Sequence, residues 1–195
     1  MKPRRLCVFC GSRSGVRPEY AAAARELGRR MAEQRIELVF GGGKVGLMGV
    51  LADSVLKHGG SAIGIIPRGL LEREVGHTGL TRLEVVQTMH ERKARMAELS
   101  DGFVALPGGY GTFEELCEVV TWAQLGIHEK PCVLVDVAGY WQPLMAQIDV
   151  GVREGFVDPS MRSLLTSAST LDQLFQQLES FQPEPVQRWM GISES

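Results

Sequence analysis

The stretch GFVALPGGYGTFEE, residues 102–115, combines the features that decide the fold. It begins with a short apolar run, residues 102–106, which predicts a buried β-strand. A loop rich in glycine, residues 107–112, follows, and residues 113–125 then carry apolar side chains at helical spacing. A buried strand that leads through a tight loop into a helix is the repeating unit of proteins with a parallel sheet covered by helices.

The same alternation extends along the chain in both directions. The predicted strands are residues 6–10, 36–40, 61–66, 82–87, 102–106, 132–137 and 164–168. The predicted helices are residues 19–35, 45–58, 89–99, 113–125, 140–155 and 171–181, with an irregular polar stretch at 68–81. We therefore predict an α/β fold: a doubly wound, mostly parallel, Rossmann-like sheet of about seven strands with helices on both faces. Residues 1–182 would form this single nucleotide-binding α/β domain, and residues 183–195 a C-terminal tail.

Composition and charge exclude several classes of protein. The 195 residues are 44% hydrophobic and 23% charged, with a formal net charge of −2, as in ordinary globular proteins. This balance excludes a broad basic surface for nucleic acid or anionic membranes, although it allows a small basic pocket. No apolar run reaches the ~18 residues that cross a bilayer, and the run 6–10 is shorter than the core of a signal peptide. We predict a cytoplasmic protein.

Four cysteines are too few for a disulfide framework in a chain of this length. Cys7 and Cys10 spell C-x-x-C, but both lie in a predicted strand, where positions three apart point to opposite faces. We interpret them as small buried residues rather than as a redox pair. No second pair or nearby histidine completes a tetrahedral zinc set, so we predict no metal site.

Three predicted strands end directly in loops that carry glycine: Gly11-Ser12, residues 41–43 and residues 107–112. Ligands of doubly wound sheets bind outside the carboxyl ends of the strands. We therefore expect these loops to converge on one site, with Ser12, Gly42 and Gly43 among the residues that contact the ligand.

Gly41, Gly43 and Gly46 match G-x-G-x-x-G between a strand and a helix. A nicotinamide dinucleotide would also need an acidic residue at the end of the next strand, which instead reads IIPR at residues 65–68. A phosphate or sugar contact at the helix N-terminus is the favoured interpretation, and tight-turn geometry alone is the alternative.

The glycines of residues 107–112 would let backbone N–H groups approach an anion, beside the positive end of the following helix. This arrangement predicts a phosphate cradle. The alternative for Glu115 is structural, because Thr112-x-x-Glu115 also spells a capping box. Glu114 would lie on another part of the helix surface as a solvated charge.

The predicted helix 89–99 carries three cations, Arg92, Lys93 and Arg95, near its start, where the helix dipole does not favour positive charge. We therefore favour contact with an anion or nucleotide over a salt-bridged surface helix. Met89 and Met96 would mark its buried side. The acidic run at residues 72–74 reads as exposed charge, although its loop could bring one acid over the site.

Taken together, these motifs resemble those of the Lonely-guy (LOG) family of cytokinin riboside 5′-monophosphate phosphoribohydrolases. The matching segments are GGG (41–43) with GLMG (46–49), MH-x-RK (89–93), PGG-x-GT-x-x-E (107–115) and TWAQLGIH (121–128). The likeness extends from about residue 6 to residue 155. Members were long labelled lysine decarboxylases, but that chemistry needs a pyridoxal-bearing lysine with a pyridinium partner, and neither is recognisable.

The resemblance implies a homodimer with composite sites and no cofactor. Arg92 and Glu115 match the family's catalytic pair, and Glu74, Lys93 and Thr121 match further substrate positions, with Glu72 as the alternative to Glu74. The phosphate loop would comprise Gly108, Gly109, Tyr110, Gly111 and Thr112. Large apolar residues near Trp122 and Trp141 would add support for a dimer, if one chain cannot bury them all.

The function expected from this sequence is hydrolysis of the N-glycosidic bond of an adenine nucleotide 5′-monophosphate, plain or N6-modified. The products would be a free base and ribose 5-phosphate. The alternative is a protein of the same fold that carries a nucleotide-like cofactor without cleaving it. A nicotinamide oxidoreductase is disfavoured by the missing ribose acid.

Overall fold

The structure is a computed structural model that describes residues 3–71 and 76–183. The predicted site residue Glu74, its alternative Glu72 and residues 184–195 of the predicted tail lie outside the described residues. The division into a domain of residues 1–182 and a tail therefore stays a prediction.

Seven strands form one sheet in which every pairing between neighbours is parallel. They are β1 Arg5–Phe9, β2 Glu37–Phe40, β3 Ala62–Pro67, β4 Arg82–Val86, β5 Gly102–Ala105, β6 Cys132–Val135 and β7 Leu165–Ala168. Their order in the sheet is β4-β3-β2-β1-β5-β6-β7. From β1 the chain adds β2, β3 and β4 in turn toward one edge of the sheet, and it then crosses to the other side of β1 to form β5. The predicted doubly wound α/β fold is confirmed, and its switch point lies between β1 and β5.

Seven α-helices connect and cover the strands. They are α1 Pro18–Glu33, α2 Gly46–Lys57, α3 Arg68–Leu71, α4 Met89–Leu99, α5 Tyr110–Gln124, α6 Gln142–Arg153 and α7 Leu171–Ser180. Two separate buried clusters show that both faces of the sheet are covered. Along β1, Leu6 and Val8 belong to one cluster, and Cys7 and Phe9 to the other. This explains why the strands are continuous apolar runs.

The helix boundaries differ from prediction at three places. α5 begins at Tyr110, three residues earlier than the spacing predicts. α3 forms inside the stretch expected to be irregular. α6 begins two residues later and ends two residues earlier than predicted, and it follows a 3₁₀ turn at residues 137–139, in which Ala138 (φ 54°) and Gly139 (φ 76°) have positive φ angles.

Trp122 and Trp141 are both buried within the chain, with 9% and 1% of their surface exposed. Trp141 packs edge-on against Phe113 and Tyr140, at ring-centroid distances of 5.7 and 5.1 Å. The two tryptophans are therefore covered within one chain and add no support for a dimer.

All four cysteines are free, and Cys7 and Cys10 are buried on opposite faces of the sheet, as predicted for small core residues. Burial raises the pKa of both thiols, and the nearby charge of Glu115 raises it further. In the part of the chain that the structure describes, no helix has the length and apolar character needed to cross a membrane.

Candidate active site

The candidate site lies at the carboxyl ends of β1 and β5, where the strand order reverses. The amide of Gly11, after β1, donates to the carbonyl of Pro107, after β5, at 3.1 Å. The carbonyl of Gly11 accepts a hydrogen bond from the amide of Leu47 in α2, at 2.9 Å. The loops that follow β1, β2 and β5 are therefore tied together, as the sequence predicts.

A cavity of about 150 Å³ opens between these loops. Its lining residues are Cys10, Gly11, Ser12, Met48, Arg92, Gly109, Tyr110, Gly111, Thr112 and Glu115. The predicted catalytic pair, most of the predicted phosphate loop and Ser12 thus surround one space, although they come from distant parts of the chain.

Arg92 reaches the cavity from α4 and is only 5% exposed. Its Nε donates to the carbonyl of Ile65 in β3 and its Nη2 to the carbonyl of Gly41 after β2, both at 3.1 Å. A Cβ at Gly41 would lie 2.0 Å from Nη2, so the absence of a side chain there makes room for the guanidinium. The two carbonyls fix the plane of the guanidinium, and its Nη1 lies 3.8 Å from Sδ of Met89 and 3.9 Å from Oε1 of Glu115.

Glu115 stands on the second turn of α5, with its side chain 11% exposed. Its Oε1 lies 3.9 Å from Nη1 of Arg92, an ion-pair contact that is too long for a hydrogen bond. Two opposite charges are thus held close together and largely out of water, where electrostatic interactions are stronger than at the surface.

The capping-box alternative for Glu115 is wrong. The N-cap residue of α5 is Gly109, and no side chain caps this helix. Thr112 is therefore the third residue of the helix rather than its cap. The glycines permit this early start, because Gly109 leads in extended conformation (φ −102°, ψ −153°) into the first helical turn.

The glycine loop presents the uncapped N-terminus of α5 to the cavity. The first amides of a helix have no acceptor within the helix, and the N-cap residue here, Gly109, has no side chain that could supply one. A Cβ at Gly108 would lie 2.0 Å from Oγ1 of Thr112, so the buried threonine packs directly over this glycine. Tyr110 stands at the rim with 91% of its surface exposed. This arrangement suits an anion.

Gly42 and Gly43 do not line the cavity. Gly42 has a φ of 78° and its carbonyl accepts a hydrogen bond from the amide of His77 at 2.9 Å, while Gly43 pairs with Gly76. Gly46 also has a positive φ, 61°, and a Cβ there would lie 2.3 Å from the backbone of Ser12. In the described chain, turn geometry and close packing account for these glycines, and their contact with a phosphate or sugar stays a prediction.

Lys93, Arg95 and Thr121 also lie away from the cavity lining. Lys93 forms ion pairs with Glu114 and Glu118 on α5. These bonds raise the pKa of Lys93 even though burial, the largest single influence, lowers it. Glu114 is 53% exposed, as expected for a solvated charge, and it also pairs with Lys93.

The other two residues have local partners. Arg95 pairs with Glu84 and Glu98, and the hydroxyl of Thr121 donates to the carbonyl of Cys117 at 2.8 Å. Of the three cations predicted to contact an anion, Arg92 lines the described cavity and Lys93 and Arg95 do not. Met89, predicted to be buried, is 40% exposed.

Sequence reasoning missed Cys10 and Met48 in the lining and Tyr140 behind the loop. The Tyr140 hydroxyl donates to the carbonyl of Gly108. The place of Cys10 at the end of a predicted strand could have indicated that it lines the site. The contact of Tyr140 with the loop could be predicted only from the knowledge that β6 is the neighbour of β5. Among the described residues, no three His, Cys, Asp or Glu side chains group as metal ligands.

The fold and the cavity together define a class: doubly wound α/β proteins whose ligand site is built at the switch point from glycine loops. Comparison with solved structures agrees with this fold. The chain is 20% identical to the molybdenum cofactor binding protein from Rippkaea orientalis, with a TM-score of 0.68, over 92% of this chain and 98% of that one. It is also 20% identical to the molybdenum cofactor carrier protein of Chlamydomonas reinhardtii, with a TM-score of 0.65, over 90% and 95% of the two chains.

Comparison with curated sequences identifies the family. Residues 48–178 match the family model described as "Possible lysine decarboxylase". The chain is 50% identical to the cytokinin riboside 5′-monophosphate phosphoribohydrolase LOG7 of Arabidopsis thaliana, over 93% of this chain and 83% of that protein. It is 49% identical to the enzyme LOG of Oryza sativa subsp. japonica, over 93% and 75%. The chain belongs to the LOG family, as its motifs suggested.

Proposed function

We propose that this protein hydrolyses the N-glycosidic bond of adenine nucleotide 5′-monophosphates and releases the free base and ribose 5-phosphate. The relatives at about 50% identity are named for this reaction on cytokinin riboside 5′-monophosphates. The observation that carries the proposal is the cavity itself, in which the uncapped N-terminus of α5 stands beside the buried pair of Arg92 and Glu115.

The loop at the start of α5 would bind the 5′-phosphate. Free amides and the positive end of the helix dipole attract an anion there. Gly109 and Gly111 suit this role because a Cβ at either would meet no atom within 4 Å, so open space faces both. Binding of the phosphate would fix the ribose and bring its anomeric carbon toward Glu115.

Glu115 would act on the sugar. Cleavage of an N-glycosidic bond develops oxocarbenium character at the anomeric carbon, as in glycoside hydrolysis. A carboxylate beside that carbon stabilises the positive charge and orients or deprotonates the attacking water. The carboxylate and the phosphate loop belong to the same helix, so their separation is fixed.

Arg92 would hold Glu115 in place and stabilise charge on the departing base. A guanidinium does not give up its proton readily, so Arg92 is a poor general acid. Its bonds to Ile65 and Gly41 hold the guanidinium plane rigid, which suits a positioned electrostatic group.

This reaction needs neither a metal nor an organic cofactor. The family description mentions lysine decarboxylation, but no lysine is among the residues that line the described cavity. Lys93, the lysine next to Arg92, is held by two glutamates of α5 instead.

The assembly would be a homodimer with composite sites, as the family resemblance implies. Lys93 and Thr121, which match substrate positions but lie away from the cavity of one chain, would belong to such a shared arrangement. Val85, Met89 and Tyr110 are large apolar or aromatic residues at exposed positions, 42%, 40% and 91% exposed, and would be available for contact with a second chain. Light scattering at micromolar concentration is expected to give the mass of two chains, and a monomer alone would contradict this. The cytoplasmic location stays a prediction.

The test is incubation of the purified protein with AMP and with an N6-prenylated AMP, followed by chromatography of the products. We expect free base and ribose 5-phosphate in equal amounts. Unchanged nucleotide that stays bound to the protein would instead favour the carrier alternative. The ratio of the two rates would show whether plain or prenylated adenine is the preferred base.

A further inference from the structure

Tyr140 lies outside the cavity lining and yet contacts the loop that forms it. It follows β6, the neighbour of β5, and its hydroxyl donates a hydrogen bond to the carbonyl of Gly108. This contact joins the segment expected to bind the phosphate to a residue that does not itself line the cavity.

The bond constrains the orientation of one peptide plane. In a trans peptide, the C=O and the N–H point in opposite directions. The carbonyl of Gly108 and the N–H of Gly109 belong to the same peptide, so fixing the carbonyl on Tyr140 directs the Gly109 N–H the other way. Gly109 lines the cavity, so an N–H held on the opposite side of the peptide from Tyr140 would be available to an anion bound there. Glycines have no Cβ to restrict this plane, so an external contact is needed to hold it.

Tyr140 is itself firmly held. The buried carboxylate of Asp136 accepts hydrogen bonds from the backbone amide of Trp141 (2.8 Å) and from the side-chain amide of Gln142. The ring of Tyr140 contacts the edge of Tyr20 at a centroid distance of 5.8 Å and that of Trp141 at 5.1 Å. The hydroxyl is thus carried by a rigid support rather than by a flexible side chain.

We propose that Tyr140 is a positioning residue for the anion-binding loop. Its hydroxyl sets the Gly108–Gly109 peptide so that the Gly109 N–H is ready to bind the 5′-phosphate before substrate arrives. This inference rests on the proposed function, since it assigns the loop to the phosphate of the same substrate. Its effect would be on affinity for the phosphate, not on the bond that breaks.

The test is Tyr140→Phe, which removes the hydroxyl and keeps the ring. Calorimetric titration with ribose 5-phosphate should give a Kd weakened by about five- to tenfold, the scale of one hydrogen bond. With AMP, KM should rise by a similar factor while kcat changes less, and the melting temperature should stay close to that of the wild type. The matched control is Tyr20→Phe, on the neighbouring ring, which should leave the Kd for ribose 5-phosphate unchanged.

The two proposals fail in different ways. Tyr140→Phe that binds ribose 5-phosphate as tightly as the wild type overturns the role of Tyr140, whether or not AMP is cleaved. A wild-type protein that releases no base from AMP but loses affinity for ribose 5-phosphate on Tyr140→Phe would overturn the hydrolysis and support Tyr140. A wild-type protein that binds no ribose 5-phosphate would overturn the phosphate role of the loop and with it the role of Tyr140, whereas release of base from AMP would still decide the hydrolysis.

Discussion

Arg92 and Glu115 illustrate how single residues are prepared for chemistry in this fold. A buried guanidinium is stable only if its donors find acceptors, and here two backbone carbonyls, of Ile65 and Gly41, supply them. The carboxylate of Glu115 is then opposite a cation whose position does not depend on it. Replacement of Glu115 should therefore affect chemistry more than folding.

We predict that Glu115→Gln lowers kcat on AMP by at least ~100-fold, the scale of a positioned acid–base group. Glutamine has nearly the same size and keeps one carbonyl acceptor, so the melting temperature should change little. Steady-state kinetics and thermal unfolding of the same preparation measure the two effects.

Glu114→Gln is the matched control, one residue away on the same helix. Glu114 is 53% exposed and pairs with Lys93, and exposed ion pairs contribute little to stability. Its activity should be close to that of the wild type. Glu115→Gln with most of its activity intact would remove the central residue of the proposed mechanism.

Gly41 should be as necessary for activity as Arg92 itself. In Gly41→Ala the new Cβ would lie 2.0 Å from Nη2 of Arg92, so the guanidinium must move. Displacement of a catalytic group by about 1 Å can cost on the order of 100-fold in rate, and we expect a loss of that scale in kcat/KM on AMP. Gly69→Ala is the control, because a Cβ there meets nothing within 4 Å. Full activity of Gly41→Ala would show that the position of Arg92 is not critical.

The sequence predicts the residues of this site better than their contacts. The spacing of residues 107–115 indicates an anion loop beside Glu115, and both line the cavity. Apart from Glu98, which follows Arg95 at i,i+3 on the same helix, the partners of Arg95 and Lys93 were not predictable, because Glu84 lies on β4 and Glu118 on α5. Helical spacing identifies which residues share a face, but not what the neighbouring element presents to that face.

At the scale of elements, the first turn of α5 is expected to distinguish a nucleotide, which has a 5′-phosphate, from the corresponding nucleoside, which has none. We predict that AMP is cleaved and adenosine is not, because the amides at this helix end bind only the phosphate. Two charge-assisted hydrogen bonds of about 1.5 kcal/mol each would already separate the kcat/KM values by ~100-fold.

Turnover as well as affinity should fall for adenosine, since binding energy from the phosphate orients the ribose at Glu115. Comparable rates for adenosine and AMP in a base-release assay would contradict a phosphate role for this loop.

Element boundaries were least predictable at glycines. The capping-box pattern of Thr112 and Glu115 favours a helix start at 113, whereas α5 starts at Tyr110. Apolar spacing carries no information before the first large apolar side chain, Phe113, and glycine is compatible with either conformation. By contrast, α4 begins at Met89 behind Thr88, whose side chain accepts from the amide of Glu91, and there the predicted bounds agree with the structure.

At the scale of the whole molecule, the alternation of strands and helices predicts a parallel sheet but not the order of its strands. The order 4-3-2-1-5-6-7 places the ends of β1 and β5 side by side, and it brings Tyr140 after β6 into contact with the loop after β5. No local pattern contains this information, since it depends on which edge of the sheet each crossover joins.

The stability of the whole molecule should fall as the pH is lowered, through His128 between α5 and β6. This buried histidine donates from Nε2 to the carbonyl of Val119 (2.8 Å), and its Nδ1 accepts from the amide of Lys130 (3.1 Å), so the folded state requires the neutral ring. Burial, assisted by the charge of Lys130 and opposed by the bond to Val119, lowers the pKa of His128 from 6.5 to about 4. The unfolded chain therefore takes up a proton at higher pH than the folded one.

This contribution to stability is fully present above pH 6.5 and is lost as the pH falls toward 4. Between pH 7 and pH 5 the shift corresponds to a loss of about 2 kcal/mol in the free energy of unfolding. Denaturant unfolding at several pH values should show this slope in the wild type and a flatter one in His128→Gln, which has no titratable ring at that position. His90→Gln, at an exposed position, is the control and should keep the wild-type slope. An equally steep slope in His128→Gln would mean that other groups cause the loss of stability in acid.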